Sequence, residues 1–164
     1  MTAISIVALC MRWAHILSAI VALGGSIFIR FVLMPSAQSV LDEKTHGELR
    51  NAVTRRWMKF VHTCILLFLI SGFFNYLVIT RHDHQGQAIY HMLFGIKFLL
   101  ALVVFALAVA LTSLKNWSAS IRANAKMWLG LLIALAVVIV CISGYMRALP
   151  KVAAAPAAIA QQQK

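Results

Sequence analysis

The chain has 164 residues, of which 62% are hydrophobic and 12% charged, with a mean hydropathy of +0.88 and a formal net charge of +11. That composition excludes an ordinary soluble domain, and the basic excess does not point to nucleic acid, because the Lys and Arg residues stand at the ends of apolar runs and in short loops, where they anchor helices and set topology. Only four carboxylates are present and none falls in an apolar run, which excludes paired-carboxylate chemistry inside a membrane.

Four apolar runs fill the chain, roughly Ile4–Met34, Phe60–Thr80, Ile89–Leu114 and Met127–Met146. A bilayer core of ~30 Å needs ~20 apolar residues in a helix, and every run meets that length. Backbone groups in lipid must be satisfied internally, and period-2 alternation is absent, so the runs are helices. The predicted fold is an all-α, antiparallel four-helix membrane bundle over residues 1–149, with an Ala-, Pro- and Gln-rich tail over 150–164. A homo-oligomer is expected. The first run lacks a basic leader and a small-residue cleavage site, and it is read as a retained helix.

Pro35 is expected to end the first helix. The polar segment Ser36–Trp57 predicts a short amphipathic surface helix through Leu41, Leu49 and Val53. Arg81–Gln87 reads as a tight polar turn, and Lys115–Lys126 as a second basic loop. Lys and Arg crowd the first and third loops, so the positive-inside rule puts those loops in the cytoplasm. The termini and the Arg81–Gln87 turn then face outside, in the periplasm if the membrane is a bacterial inner membrane. Cys10, Cys64 and Cys141 lie in apolar runs without CxxC spacing and read as packing residues.

Candidate functional residues are the polar groups that the membrane tolerates. His15 lies inside the first helix, where an ionisable group by default marks a functional site. Its helical neighbours Ser18, Ala19, Ala22, Gly25 and Ser26 form a strip of small residues. The strip admits two readings: close helix packing, or room for a flat cofactor under an imidazole ligand. Arg12, one turn outward, either snorkels or pairs with a carboxylate such as a haem propionate. His91 and Lys97 stand near the outer end of the third helix. Ser71, Asn75, Ser143 and Arg147 reach the same level.

His62 sits at the opposite end of the second helix, ~15 Å of helix away from the His15 level. It reads as a satisfied interface histidine, or as a ligand of a second cofactor. His82 and His84 form an H-x-H around Asp83. That pattern can bind Cu²⁺ or Zn²⁺, but it lacks the spacing of a structural zinc site and reads first as an exposed turn.

These residues carry a resemblance. RWAHILSAIVALGGSIFIRFVLMP resembles the first helix of the copper-resistance D family, with a helix histidine, a Gly-Gly pair and a basic residue before the loop. RRWMKFVHTCILLFLISGFF is similar to that family's second helix, and MLFGIKFLLALVVFAL to its third. The related membrane protoporphyrinogen oxidases share the first-helix histidine, matched by His15, and the third-helix lysine, matched by Lys97. Of their Leu-Pro-Arg-Leu-Phe-Val-Tyr-His stretch only Arg30–Val32 is matched, and the methionine-rich outer motifs of a copper importer are absent.

The function expected is that of a b-type haem protein moving electrons in the bilayer, with a quinone or another redox protein as partner. His15 would ligate iron, with His91 as the second ligand. Arg12 and Lys97 would neutralise the propionates, and Ser18 and Ala22 would make room for the ring. The alternative is a copper-handling transporter that uses His82, His84, His91 and His15, or a membrane subunit without chemistry.

Overall fold

The computed structural model describes residues 3–80 and 86–150, and His82, His84 and the tail beyond Pro150 lie outside that range. It is an all-α bundle with no strand among the described residues. Helix α1 (Ala3–Phe28) continues through a π-helical turn (Ile29–Leu33) into α2 (Met34–Val40). Helix α3 (Glu43–Phe74) ends in a second π-helical stretch (Asn75–Thr80). Helix α4 (Ala88–Thr112) is followed by a 3₁₀ turn (Asn116–Ser118), α5 (Ala119–Ala123) and α6 (Ala125–Ala148).

Four spans are long and apolar enough to cross a membrane: Ser5–Val40, Glu43–Val78, Ala88–Thr112 and Ala125–Ala148. The protein is an integral membrane protein of the four-helix type. The first two spans have 36 residues each. At 1.5 Å per residue each runs ~54 Å, well beyond the ~30 Å hydrocarbon core. Their ends at Pro35–Trp57 therefore stand outside the core.

Two expectations are corrected here. Pro35 does not end the first helix. A proline needs no N–H in the first turn of a helix, and Pro35 occupies that place in α2. The wider π-turn before it, closed by the Met34 N–H to the Ile29 carbonyl, carries the helix through to Val40. Nor is Ser36–Trp57 a separate surface helix. It is the tip of α2, a turn at Leu41–Asp42, and the first half of the unbroken α3.

Asp42 starts α3. Its carboxylate accepts from the Thr45 N–H at 3.1 Å and the Thr45 hydroxyl at 2.6 Å. Those bonds hold the Asp42 carboxyl below its ordinary range. The cap is complete at neutral pH and is lost as the pH falls through that lowered value.

The long helices pack as a closed ring, α1 on α3, α3 on α4, α4 on α6, and α6 back on α1 through the thinnest seam. In lipid no hydrophobic force drives helices together, so small residues and hydroxyls hold the seams. The buried polar residues are hydroxyls: Ser18, Ser26, Ser71, Thr112 and Ser118. The first four bond back to a carbonyl four residues earlier in their own helix. Large apolar side chains such as Ile20 and Leu99, each more than 60% exposed, face outward into the hydrocarbon.

Among the described glycines the tightest site is Gly25, where a β-carbon would run into the Trp57 indole. At its neighbour Gly24 a β-carbon would meet nothing within 4 Å. Gly25→Ala is therefore expected to force α1 from α3 and to cost about 1–3 kcal/mol of stability. Gly24→Ala is expected to be neutral or slightly stabilising. Thermal unfolding in detergent checks the pair, and equal effects would show that the helices do not meet at Gly25.

Candidate cofactor site

A cavity of about 510 Å³ opens along the bundle axis at the His15 end. That volume lies within the roughly 300–1,000 Å³ range of small-molecule and cofactor sites. Every long helix contributes to its wall: Arg12 and His15 from α1, Phe68 from α3, Lys97 and Phe105 from α4, and Ser143 from α6.

The wall is built around His15. Its Nδ1 lies 2.8 Å from the Ser71 hydroxyl oxygen. Ser71 has one proton, and it goes to the Leu67 carbonyl at 2.5 Å. The contact with His15 is therefore Nδ1–H donating to Ser71 Oγ. In the neutral imidazole this leaves the lone pair on Nε2, which has no hydrogen-bond partner among the described residues. Phe68 meets the ring edge-on at 5.0 Å between centroids, and Gly72 lies against Cε1. Phe68 in turn stacks on Phe105 at 5.8 Å. The imidazole is thus clamped by α3 through Nδ1, as a metal-ligating histidine is oriented by a hydrogen bond to its other ring nitrogen.

Two cations share the cavity. Arg12 is exposed at its margin, and Lys97 is half-buried with Nζ 6.0 Å from the Phe94 ring centroid. The π-helical stretch after α3 adds Asn75 and Tyr76 to the same wall. Tyr76 lies parallel to Phe94 at 3.6 Å between centroids. Asn75 donates from Nδ2 to the Ser71 carbonyl at 2.8 Å.

The other sequence candidates separate. His91 does not line the cavity. Its Nδ1 shares a 3.0 Å hydrogen bond with the Tyr76 hydroxyl, and its ring meets Tyr76 edge-on. Six residues of α-helix turn it to a different face from Lys97. Ser18 is buried in packing, with its hydroxyl on the Ala14 carbonyl, and does not line the cavity. Ala19, Ala22 and Ser26 do line it. The small strip therefore serves both readings, with cavity wall at Ala19, Ala22 and Ser26 and helix packing at Ser18 and Gly25.

His62 is exposed, and its Nδ1–H donates to the Met58 carbonyl at 2.7 Å. It is a satisfied histidine on an outer face. His82 and His84 lie outside the described residues. Among the described residues no three of His, Cys, Asp or Glu gather as a metal site.

Sequence reasoning missed the aromatic wall and the His15–Ser71 link. Ser71 was marked only by depth, and nothing in a single sequence says that two polar residues 56 positions apart touch. Tyr76 carried no signal at all, because its place depends on the π-helical winding at Asn75–Thr80.

No family model, curated protein or solved structure matches this chain.

The wall predicts a contrast between two faces of α1. Ala22→Leu should fill the cavity while the protein still folds, and Ser18→Leu should destabilise the bundle by about 1–3 kcal/mol through overpacking. Val21→Leu, on the exposed face, should do neither. Binding of an apolar fluorescent probe and thermal unfolding separate the three. Loss of the cavity with Val21→Leu, or none with Ala22→Leu, would contradict the assignment.

Proposed function

We propose that the protein binds one b-type haem in the axial cavity, with His15 Nε2 as its single protein ligand, and takes part in electron transfer within the bilayer. The observation that carries this reading is the 2.8 Å contact between His15 Nδ1 and the Ser71 hydroxyl, which ties that ring nitrogen to α3. With Nδ1 donating to Ser71, the Nε2 lone pair is free for a ligand on a wall that is mostly aromatic and aliphatic, with Arg12 and Lys97 as its cations.

The donor set supports haem over bare copper. A porphyrin brings four nitrogens of its own, so one imidazole completes a stable iron site. A copper ion in a transporter needs several protein donors in one place, and the described residues gather no such cluster. The single-ligand reading also departs from the expected His15–His91 pair, because His91 is turned to Tyr76.

The residues divide the work as follows. Ser71 orients the imidazole and raises the basicity of Nε2. Arg12 and Lys97 supply two positive charges for the two propionates. Phe68, Phe105 and Phe94 exclude water and lower the local dielectric, which tunes a redox centre. When bound, haem b supplies reversible one-electron chemistry, and a membrane quinone or a redox protein is the partner that this chemistry calls for.

The test is a visible spectrum of the protein expressed with ample haem and purified in detergent. The wild type should show a Soret band, and His15→Ala should abolish or strongly shift it while the protein still inserts. Ser71→Ala should weaken haem binding by about 10–100-fold. His62→Ala and His91→Ala should leave the band in place. A colourless wild type, or a native spectrum in the His15 variant, would overturn the reading.

A further inference from the structure

A second hollow, of about 320 Å³, lies at the opposite end of the bundle. It shares Ser26, Val61, Ala108 and Leu132 with the wall of the first. Its chemistry is different. Arg30, Arg50, Arg122, Lys126 and His46 line it, and no Asp or Glu does.

Two of the guanidiniums are held in place by the backbone. Arg30 donates from Nε to the Lys126 carbonyl at 3.1 Å. Arg122 Nη1 donates to the Ser113 carbonyl, to the Lys115 carbonyl at 2.9 Å and to the Ser118 hydroxyl at 2.6 Å. An arginine has five N–H groups, so each keeps donors for a ligand. Arg50 and Lys126 are exposed, and among the described residues no hydrogen bond ties up their side chains. The His46 Nε2 is buried and without a hydrogen-bond partner among the described residues.

Four like charges around one hollow repel each other, and an anion between them offsets that cost. Arginine forks match phosphate oxygens in shape as well as charge. The rest of the wall is apolar, with Ile29, Met34, Trp57, Leu111 and Leu129. A free inorganic anion gains nothing from those side chains, whereas a lipid places glycerol and acyl carbons on them. The position agrees, because this is the end where the two 36-residue spans outlast the hydrocarbon core.

We propose that this hollow binds the phosphodiester headgroup of an anionic membrane lipid, with the phosphate held by Arg30, Arg50, Arg122 and Lys126 and the glycerol end against Trp57 and Met34. Basic pockets between membrane helices take headgroups of this kind. The site is independent of the haem reading, since none of its cations lines the upper cavity.

The experiment uses the full chain, delipidated in mild detergent. Phosphatidylglycerol, phosphatidylcholine and inorganic phosphate are titrated separately, with bound mass read by native mass spectrometry and thermal stability read in parallel. Phosphatidylglycerol should bind at least about tenfold more tightly than phosphatidylcholine, and inorganic phosphate should leave the melting temperature unchanged. Arg50→Gln with Lys126→Gln should weaken phosphatidylglycerol binding by roughly tenfold or more. Arg55→Gln with Arg56→Gln removes the same charge from exposed positions that do not line the hollow, and should change binding less than about twofold. Equal affinity for the two lipids, equal losses in the two double variants, or stabilisation by phosphate alone matching that by lipid would each overturn the proposal.

Discussion

In hydrocarbon there is no water to satisfy a polar group, so every N–H, carbonyl and hydroxyl must find its partner inside the protein. That constraint sets where each polar residue of this bundle can stand. Ser18, Ser26, Ser71 and Thr112 return their protons to carbonyls of their own helices. Ser71 does one thing more. With its proton committed to Leu67, its oxygen accepts from His15, and α1 is joined to α3 by a polar contact between helices. The imidazole is held through Nδ1, and Nε2 is left without a hydrogen-bond partner among the described residues.

The same constraint organises the two ends differently. At the His15 end the cations are few, and aromatic rings from α3, the π-helical stretch after it and α4 line the hollow. At the other end the helices outlast the core, and charge can be concentrated because headgroups and water reach it. The waist of Ser26, Val61, Ala108 and Leu132 separates these environments within one bundle.

The four spanning helices could be read from the sequence, because run length and composition alone decide whether a segment is long and apolar enough to span a membrane. The strip of small residues that includes Gly25 pointed to close packing, and the structure sets Gly25 against the Trp57 indole. Three features could not be read. The course through Pro35 depends on a π-turn that no pattern marks. Whether His91 shares the wall with Lys97 depends on the rotation of α4 about its axis, and the structure turns it to Tyr76 instead. The cations of the basic hollow come from the π-helical turn after α1, from α3, from α5 and from the start of α6, and in sequence they read only as topology signals. Rotation and pairing are tertiary properties, and depth is a local one.

The tautomer of His15 is the claim on which the cofactor reading rests, and it can be measured without any cofactor. Protein with ¹⁵N-labelled histidine in bilayers, held at a pH where the imidazole is neutral, gives separate solid-state NMR signals for the protonated and unprotonated ring nitrogens. His15→Asn identifies the signals of that ring. Nδ1 should be the protonated nitrogen and Nε2 the bare one, and Ser71→Ala should disturb that preference. A proton on Nε2 in the wild type, or a tautomer indifferent to the loss of Ser71, would contradict it.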